Sequence, residues 1–291
     1  MNRFFVLQKL LELGSFTKTA ELLGYTQSSI SQMIASLEEE LSIKIVNRSR
    51  SGVRLTLEGE KIYPLIQQSI RQYEAVLEKA TEIKGLKTGT IRIGTISSIS
   101  VNWLPKLIHQ FKSNYPDVEF ILYQGDYTSI AEWIRTNVID FGFTTPPMAT
   151  EFETMDIKEG EMLAVLPANH PLAKYPGKPL PLNQMTKDPL ILLEEGKFSE
   201  PLNAFSGANV TPNIKYRIHD DYAIMTMIEA GLGISILAEL VLKRMPFKIV
   251  TRPLIPKITR KIAIAYLDKK QLPIASQLFI KYILNSKSQL L

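Results

Sequence analysis

The chain has 291 residues, 45% hydrophobic and 22% charged, which fits an ordinary folded protein of two or three compact units. It has no cysteine, which excludes disulfides and thiolate metal sites, and its three histidines, His109, His170 and His219, are scattered and unpaired, against a histidine metal centre. A formal net charge of +5 is compatible with a nucleic-acid partner without requiring one.

The opening MNRFFVLQKLLELGSF lacks the order of a secretion signal and instead spaces its apolar residues like an amphipathic helix. The longest apolar run, Ala230 to Leu242, contains Glu239 and falls short of the ~20 residues that a membrane span needs. A cytoplasmic protein with no membrane partner is expected. Phe4, Phe5, Leu7, Leu10, Leu11 and Phe16 mark a first helix that stops near Gly14. A second, Thr17 to Leu23, turns Ala20, Leu22 and Leu23 inward, with Thr17 contributing to its cap. Gly24 supplies the left-handed stop. Thr26 then reads as the N-cap of a third helix, Gln27–Leu41, with Ile30, Ile34, Leu37 and Leu41 inward.

Two short helices around a glycine turn make a helix-turn-helix, a pattern that many all-α proteins share. The surface of the third helix and the basic segment after it narrow that choice. The outward positions of the third helix are Gln27, Ser28, Ser31, Gln32 and Ala35, side chains suited to reading base edges in a major groove. Glu38, Glu39 and Glu40 sit at its far end, where DNA has moved away. Segments Ile43–Asn47 and Val53–Thr56 predict a hairpin around Arg48–Gly52. Lys44, Arg48, Arg50 and Arg54 make it a basic wing that neutralises phosphates.

The segment GSFTKTAELLGYTQSSISQMIASLEEELSIKIVNRSRSGVRLTLEGE resembles the DNA-binding domain of LysR-type transcriptional regulators, nearly continuously from Phe5 to Glu60. The resemblance implies promoter DNA as partner, with Lys18, Thr26, Gln27, Ser28, Ser29, Ser31, Gln32, Arg48, Arg50 and Arg54 at the interface. The family commonly has a basic residue after the serine of the recognition helix. Here Gln32 and Met33 follow Ser31, and glutamine favours adenine where arginine favours guanine.

From Leu57 to about Leu86 the apolar residues Ile66, Ile70, Tyr73, Leu77 and Ala80 recur in steps of four and three, the period of a two-stranded coiled coil. A helix packed on its own domain is the alternative. The resemblance implies a homodimer or homotetramer joined through this helix, and residues 85–89 read as a hinge.

Beyond Gly89 strands and helices alternate. Strands are expected at Thr90–Ile96, Val118–Tyr123 and Ile139–Phe143, with helices at Val101–Lys112 and Ile130–Thr136, a βαβαβ pattern with a parallel sheet. A second set comes next: strands Met162–Leu166, Leu190–Leu193, Ile214–Arg217 and Ile234–Leu237, with helices near Glu200–Phe205 and at Tyr222–Ala230. Strand Lys261–Leu267 and helix Leu272–Leu284 close the chain. The whole resembles the effector domain of the same regulators, two α/β lobes built like a periplasmic solute-binding protein. Crossings are expected near Glu159–Leu163 and Lys261–Ala265.

Ligands of such sheets bind at strand carboxyl ends, so the hydroxyls of Ser97 and Ser98, after the first strand, suit an anion. The alternative is that Ser98 or Ser100 merely caps the next helix. The resemblance implies an effector held at Ser98, with Thr144 and Thr145 facing the cleft from one lobe and Leu193, Glu194 and Phe198 from the other. Glu194 and Glu195 would repel an anion unless Lys197 compensates or the effector carries an amine. Gly231-Leu232-Gly233 lies between helix and strand, the wrong order for a nucleotide loop. Asp220 and Asp221 read as helix caps.

The expected architecture is therefore an all-α winged helix-turn-helix (1–58), a linker helix and hinge (59–89), and an α/β two-lobed periplasmic-binding-protein-like domain (90–291; lobe I 90–161 and 265–291, lobe II 162–264). The expected function is a bacterial transcriptional regulator that binds double-stranded promoter DNA, senses a small-molecule effector, and contacts RNA polymerase if it activates. No catalytic set, metal site or cofactor is expected. The rival is a solute-binding protein, which the second domain alone allows.

Overall fold

The computed structural model describes residues 3–49, 52–83, 88–243 and 246–290. The chain divides into two compact units, Met1–Gly85 with Thr136–Val138, and Leu86–Arg135 with Ile139–Leu291. Arg50 of the expected wing and residues 85–87 of the expected hinge lie outside the described residues, whereas Ala80 of the expected seam is exposed.

The first unit packs α1 (Arg3–Leu13), α2 (Phe16–Leu23) and α3 (Gln27–Leu41) around Val6, Leu7, Leu10, Ile30, Ile34 and Leu37. Ser15 rather than Thr17 caps α2, its side chain accepting from Lys18 N. Gly24 ends α2 at φ 71°, a conformation costly for any residue with a Cβ. Leu22, expected inside, is 61% exposed, and Phe16 and Thr19 take the inward places on that helix.

The wing is a tight antiparallel pair, β1 (Val46–Ser49) and β2 (Gly52–Leu55), with Asn47 opposite Arg54 and Arg48 opposite Val53. It starts three residues later than the hydrophobicity suggested, because Glu38 intercepts the preceding chain. Its Oε1 accepts from Ile45 N at 2.8 Å and Val46 N at 3.1 Å. Arg3 reaches Glu40 at 2.5 Å, so two of the three glutamates at the end of α3 hold the domain together. The acidic run is thus structural, not merely tolerated.

Thr56 Oγ1 accepts from Gly59 N at 2.9 Å and opens α4 (Leu57–Ile83), 27 residues or roughly 40 Å at 1.5 Å each. A Cβ on Gly59 would sit 2.2 Å from Ile45 O, so glycine lets the helix start against the wing. Ile66 and Ile70 are buried in the core of their own domain, not in an intermolecular seam. Further along, Tyr73, Val76 and Leu77 are each at least half exposed. The apolar face divides between two uses.

In the second unit, β3 (Gly89–Thr95) pairs in parallel with β4 (Val118–Gln124) and with β5 (Phe141–Thr144), as the βαβαβ pattern predicts. The helix expected at Val101–Lys112 is two, α5 (Ser97–Asn102) and α6 (Leu104–Lys112). Pro105 has no N–H to donate and fits the first turn of a new helix. The second α–β crossover uses α7 (Tyr127–Arg135).

Two long antiparallel strands, β6 (Glu153–Pro167) and β13 (Ile258–Tyr266), run through both lobes. Polar EFETMDIKEGEM hid nine residues of β6 from a reading based on hydrophobicity. Ala263–Ala265 pair with β5, so β13 enters lobe I two residues earlier than the expected boundary at 265. Met162–Val165 pair with β10 (Ser235–Ala238) in lobe II. The crossings are therefore centred on Ile157–Glu161 and Arg260–Ile262.

Lobe II adds β7 (Leu180–Pro181), the parallel pair β8 (Leu190–Leu193) and β9 (Ile214–Ile218), with α8 (Glu200–Gly207), α9 (Asp221–Glu229) and the short α10 (Glu239–Leu242). Strand β11 (Ile249–Arg252) joins β6, and β12 (Leu254–Ile255) pairs with β7. Helix α11 (Ile274–Asn285) returns to lobe I, where Phe279 packs on Phe111, Phe120 and Phe141. No helix described is long and apolar enough to cross a membrane.

Replacing Glu38 with alanine strands two backbone N–H groups and should lower unfolding free energy by about 2 kcal/mol. Glu39→Ala, at an exposed position, should change it by under about 0.5 kcal/mol. Chemical denaturation of both variants measures the difference, and equal losses would show that Glu38 holds nothing.

Candidate functional site

In the first unit, α2, α3 and the wing carry a set of exposed polar side chains. Gln27, Ser28 and Gln32 are exposed on α3, Lys18 on α2, and Arg48 and Arg54 on the wing. Several of the expected DNA-facing hydroxyls have local partners. Thr26 Oγ1 caps α3 by accepting from Ser29 N at 3.1 Å, and it lies 2.9 Å from Ser28 Oγ and 2.8 Å from Ser29 Oγ. Arg48 donates to Ser31 Oγ at 2.7 Å, with its guanidinium 3.9 Å from the centre of the Phe16 ring. Arg48 therefore ties the wing to α2 and α3 as well as carrying charge. Gln27, Gln32 and Arg54 remain as the extended side chains best able to reach outward.

In the second unit, a cleft lies between the lobes at the carboxyl ends of the parallel strands, where such sheets leave room for ligands. One cavity of about 290 Å³ is lined by Ser97, Gln124, Asp126, Leu193, Glu194, Glu195 and His219 among others. A second, of about 320 Å³, shares Ser97, Gln124 and His219 and adds Ser98, Asp220, Asp221 and Tyr222. Ser97, Ser98, Leu193 and Glu194 line these cavities. Thr144, Thr145 and Phe198 line neither cavity. Both threonines are buried, Thr144 at the end of β5 beside β13, and Phe198 is half-buried in the loop before α8. Residue spacing could not show that β13 covers the end of β5.

The electrostatics of the cleft differ from an anion site. Ser97 Oγ, expected to meet an anion, donates to Asp221 Oδ2 across the cleft. Lys197, the expected compensating cation, is exposed and lines neither cavity. Its backbone N–H goes to Thr128 Oγ1. Ser98 and Ser100 do not cap α5, whose N-cap position is Ile96. Asp220 does cap α9, accepting from Ala223 N at 2.7 Å, whereas Asp221 faces Ser97.

Behind the wall sits a buried charge cluster that the sequence did not reveal. Arg260 of β13, only 4% exposed, donates to Tyr127 Oη at 2.7 Å and to Glu195 Oε1 at 2.5 Å. Tyr127 begins α7 in lobe I, and its hydroxyl donates to Glu200 Oε1 of lobe II at 3.4 Å. Glu200 Oε2 and Asp221 Oδ1 are buried without a partner. Burial pushes the Glu195 carboxyl up to about 7 against the opposing pull of Arg260, with Glu200, Asp221 and Asp126 adding to the rise. Burial also raises Glu200 and Asp221, and lifts the Tyr127 hydroxyl well above its ordinary value. The Arg260 guanidinium stays charged, its carboxylate neighbours outweighing burial.

Residues 1–60 match the family model described as the bacterial regulatory helix-turn-helix protein, lysR family, and residues 84–287 match the LysR substrate binding domain. Among curated proteins the chain is 35% identical over 279 residues to the uncharacterized HTH-type transcriptional regulator YvbU of Bacillus subtilis, covering 95% of this chain and 94% of that protein. Among solved structures it resembles a full-length OxyR variant from Pseudomonas aeruginosa, with a TM-score of 0.75, 23% identity, and 99% and 94% of the two chains covered. It also resembles full-length CbnR complexed with its target DNA, with a TM-score of 0.69, 19% identity, and 98% of each chain covered.

Glu195 carries a pH signature. Its folded pKa lies above that of an unfolded glutamate, so the folded protein holds the extra proton between about pH 4.5 and 7. The corresponding stability is complete below that window and is lost as pH rises through about 7. Wild-type stability should therefore fall relative to Glu195→Gln between about pH 5 and 8. Thermal melts of both proteins across that range measure it, and a constant difference would refute the shift.

Proposed function

The chain belongs to the LysR family of bacterial helix-turn-helix transcriptional regulators, and on that premise we propose that it reads promoter DNA with α3 and the β1–β2 wing under control of a small molecule in the interlobe cleft. The observation that carries the DNA reading is the exposed face of α3, where Gln27, Ser28 and Gln32 stand beside Lys18 and the wing arginines Arg48 and Arg54. An amide pairs with the N6 and N7 edge of adenine, which suits Gln32 and Gln27 to base reading. Arg48 and Arg54 supply phosphate contacts, while Thr26, Ser29 and Ser31 shape the end of α3 from which those contacts are made. Arg50, between the two wing strands in sequence, belongs to the same basic set.

The solute-binding alternative falls away, because the matched family and the curated relatives are regulators with a helix-turn-helix. The protein works by binding rather than catalysis, and we place it in the cytoplasm with the DNA it reads. Its domain plan is a DNA-binding domain to about residue 58, a linker to 89, and a two-lobed effector domain beyond. The exposed Leu65, Tyr73, Val76 and Leu77 of α4 suit pairing with a second copy. Two recognition helices one DNA turn apart then read a palindrome with greater affinity than either alone. An effector that prefers one arrangement of the lobes shifts the regulator's conformation, and with it DNA bending or contact with RNA polymerase.

Genomic fragments retained by the purified protein at physiological salt test this reading, and a small set of palindromic sites is expected. Arg54→Ala should weaken binding to all sequences and reduce the slope of log K against log salt by about 1. Gln32→Ala should instead relax preference at one position of each half-site. An equal loss on every sequence for Gln32→Ala would remove its base-reading role.

A further inference from the structure

The two cleft cavities are lined by five carboxylates, Asp126, Glu194, Glu195, Asp220 and Asp221, and by no lysine or arginine. Arg217 and Arg260 are already engaged, with Glu194 at 2.9 Å and with Glu195, and His219, which lines both cavities, lies 3.5 Å from Glu194 Oε2. Asp221 is more than nine-tenths buried, lines the larger cavity, and keeps Oδ1 without a partner. A buried, unsatisfied carboxylate oxygen is costly unless a donor arrives to meet it. Tyr222, 62% exposed on the same wall, offers an aromatic face of the kind that attracts cations. An anion entering this space would face like charge from both lobes in a partly dry environment.

Resting on the reading of the cleft as an effector site, we propose that its effector is a small organic cation whose ammonium or amidinium group sits against Asp221 and is flanked by Glu194, Glu195 and Tyr222. Among the described residues no three side chains of the metal-binding types are grouped to hold a metal ion, so a hydrogen-bonding organic cation fits the donor geometry better. Ser97 already orients Asp221 Oδ2, leaving Oδ1 for the ligand. Wall residues come from both lobes, Asp126 and Ser97 from one and Glu194 and Asp221 from the other. A cation between them offsets repulsion across the cleft and favours closure. The Glu195 carboxyl, pushed up to about 7 by burial, gives up its proton when a cation settles beside it, so binding near neutral pH releases protons to buffer.

The test is calorimetric titration of the full-length protein with a chain-matched set, diaminobutane, butanediol and succinate, joined by methylamine and the guanidinium compound agmatine. At least one of the cations should bind, with heats that vary with buffer ionisation enthalpy as proton release requires. Asp221→Asn should weaken that binding tenfold or more, and Glu194→Gln, at a less buried site, provides a second variant should the first fold poorly. No binding by any of the three cations below about 10 mM would overturn the proposal, as would cation binding that neither variant weakens. Succinate binding abolished by Ser98→Ala would also overturn it while leaving the cleft as an effector site. Loss of promoter recognition, measured separately, bears on the regulator reading alone.

Discussion

The guanidinium of Arg260 sits on the strand that both lobes share, and much of the second unit is arranged around it. A buried cation is intolerable without carboxylate and hydrogen-bonding partners, and the desolvation cost is repaid only by good geometry. Tyr127 from lobe I and Glu195 from lobe II supply that geometry at 2.7 and 2.5 Å. Meeting Arg260 draws the loop after β8 across the cleft, where Glu195 O accepts from Tyr127 N and Lys197 N donates to Thr128 Oγ1. Gly196 makes the approach possible. It adopts φ 88°, and a Cβ there would meet Thr128 Oγ1 at 2.2 Å.

One arginine does not neutralise the carboxylates gathered around it. Glu195, Glu200 and Asp221 are all buried, and two of their oxygens lack partners. That imbalance gives the cleft its negative character and raises the affinity of these groups for protons. On the proposed reading of the cleft, a ligand that relieves this charge also offsets repulsion between the lobes. An effector site with such a wall selects by sign before it selects by shape.

Carboxylates serve a different end in the first unit. Glu38 accepts from two backbone N–H groups and Glu40 pairs with Arg3, so α3 is fastened to the wing and to α1 at the end opposite its exposed amides. Arg48 fastens the wing again through Ser31 and Phe16. The outward face of α3 is thus carried by a helix held at several points, which limits the ordering cost when it meets a partner. Helix α4 begins against this framework at Gly59, and its apolar face serves the domain core at Ile66 and Ile70 before it becomes exposed at Tyr73.

Sequence alone determined what depends on near neighbours in the chain. Thr26, Gly24 and the spacing of Ile30, Ile34 and Leu37 define α3 and its turn, because caps, left-handed stops and amphipathic periods are local. The alternation of apolar strands and helices likewise announced the parallel order of β3, β4 and β5. Polar β6 escaped notice because its stability comes from pairing with β13, a partner about a hundred residues away in sequence. The break between α5 and α6 was local too, yet Pro105 was masked by a continuous apolar face. Only the tertiary structure decided that Asp221 meets Ser97, that Arg260 meets Glu195, and that Thr144 is covered rather than open to the cleft. Those contacts join residues separated by 65 to 124 positions, and no periodicity or capping rule reaches so far. The sign of a binding site is a property of side chains assembled in space, so it becomes legible only when the lobes are folded together.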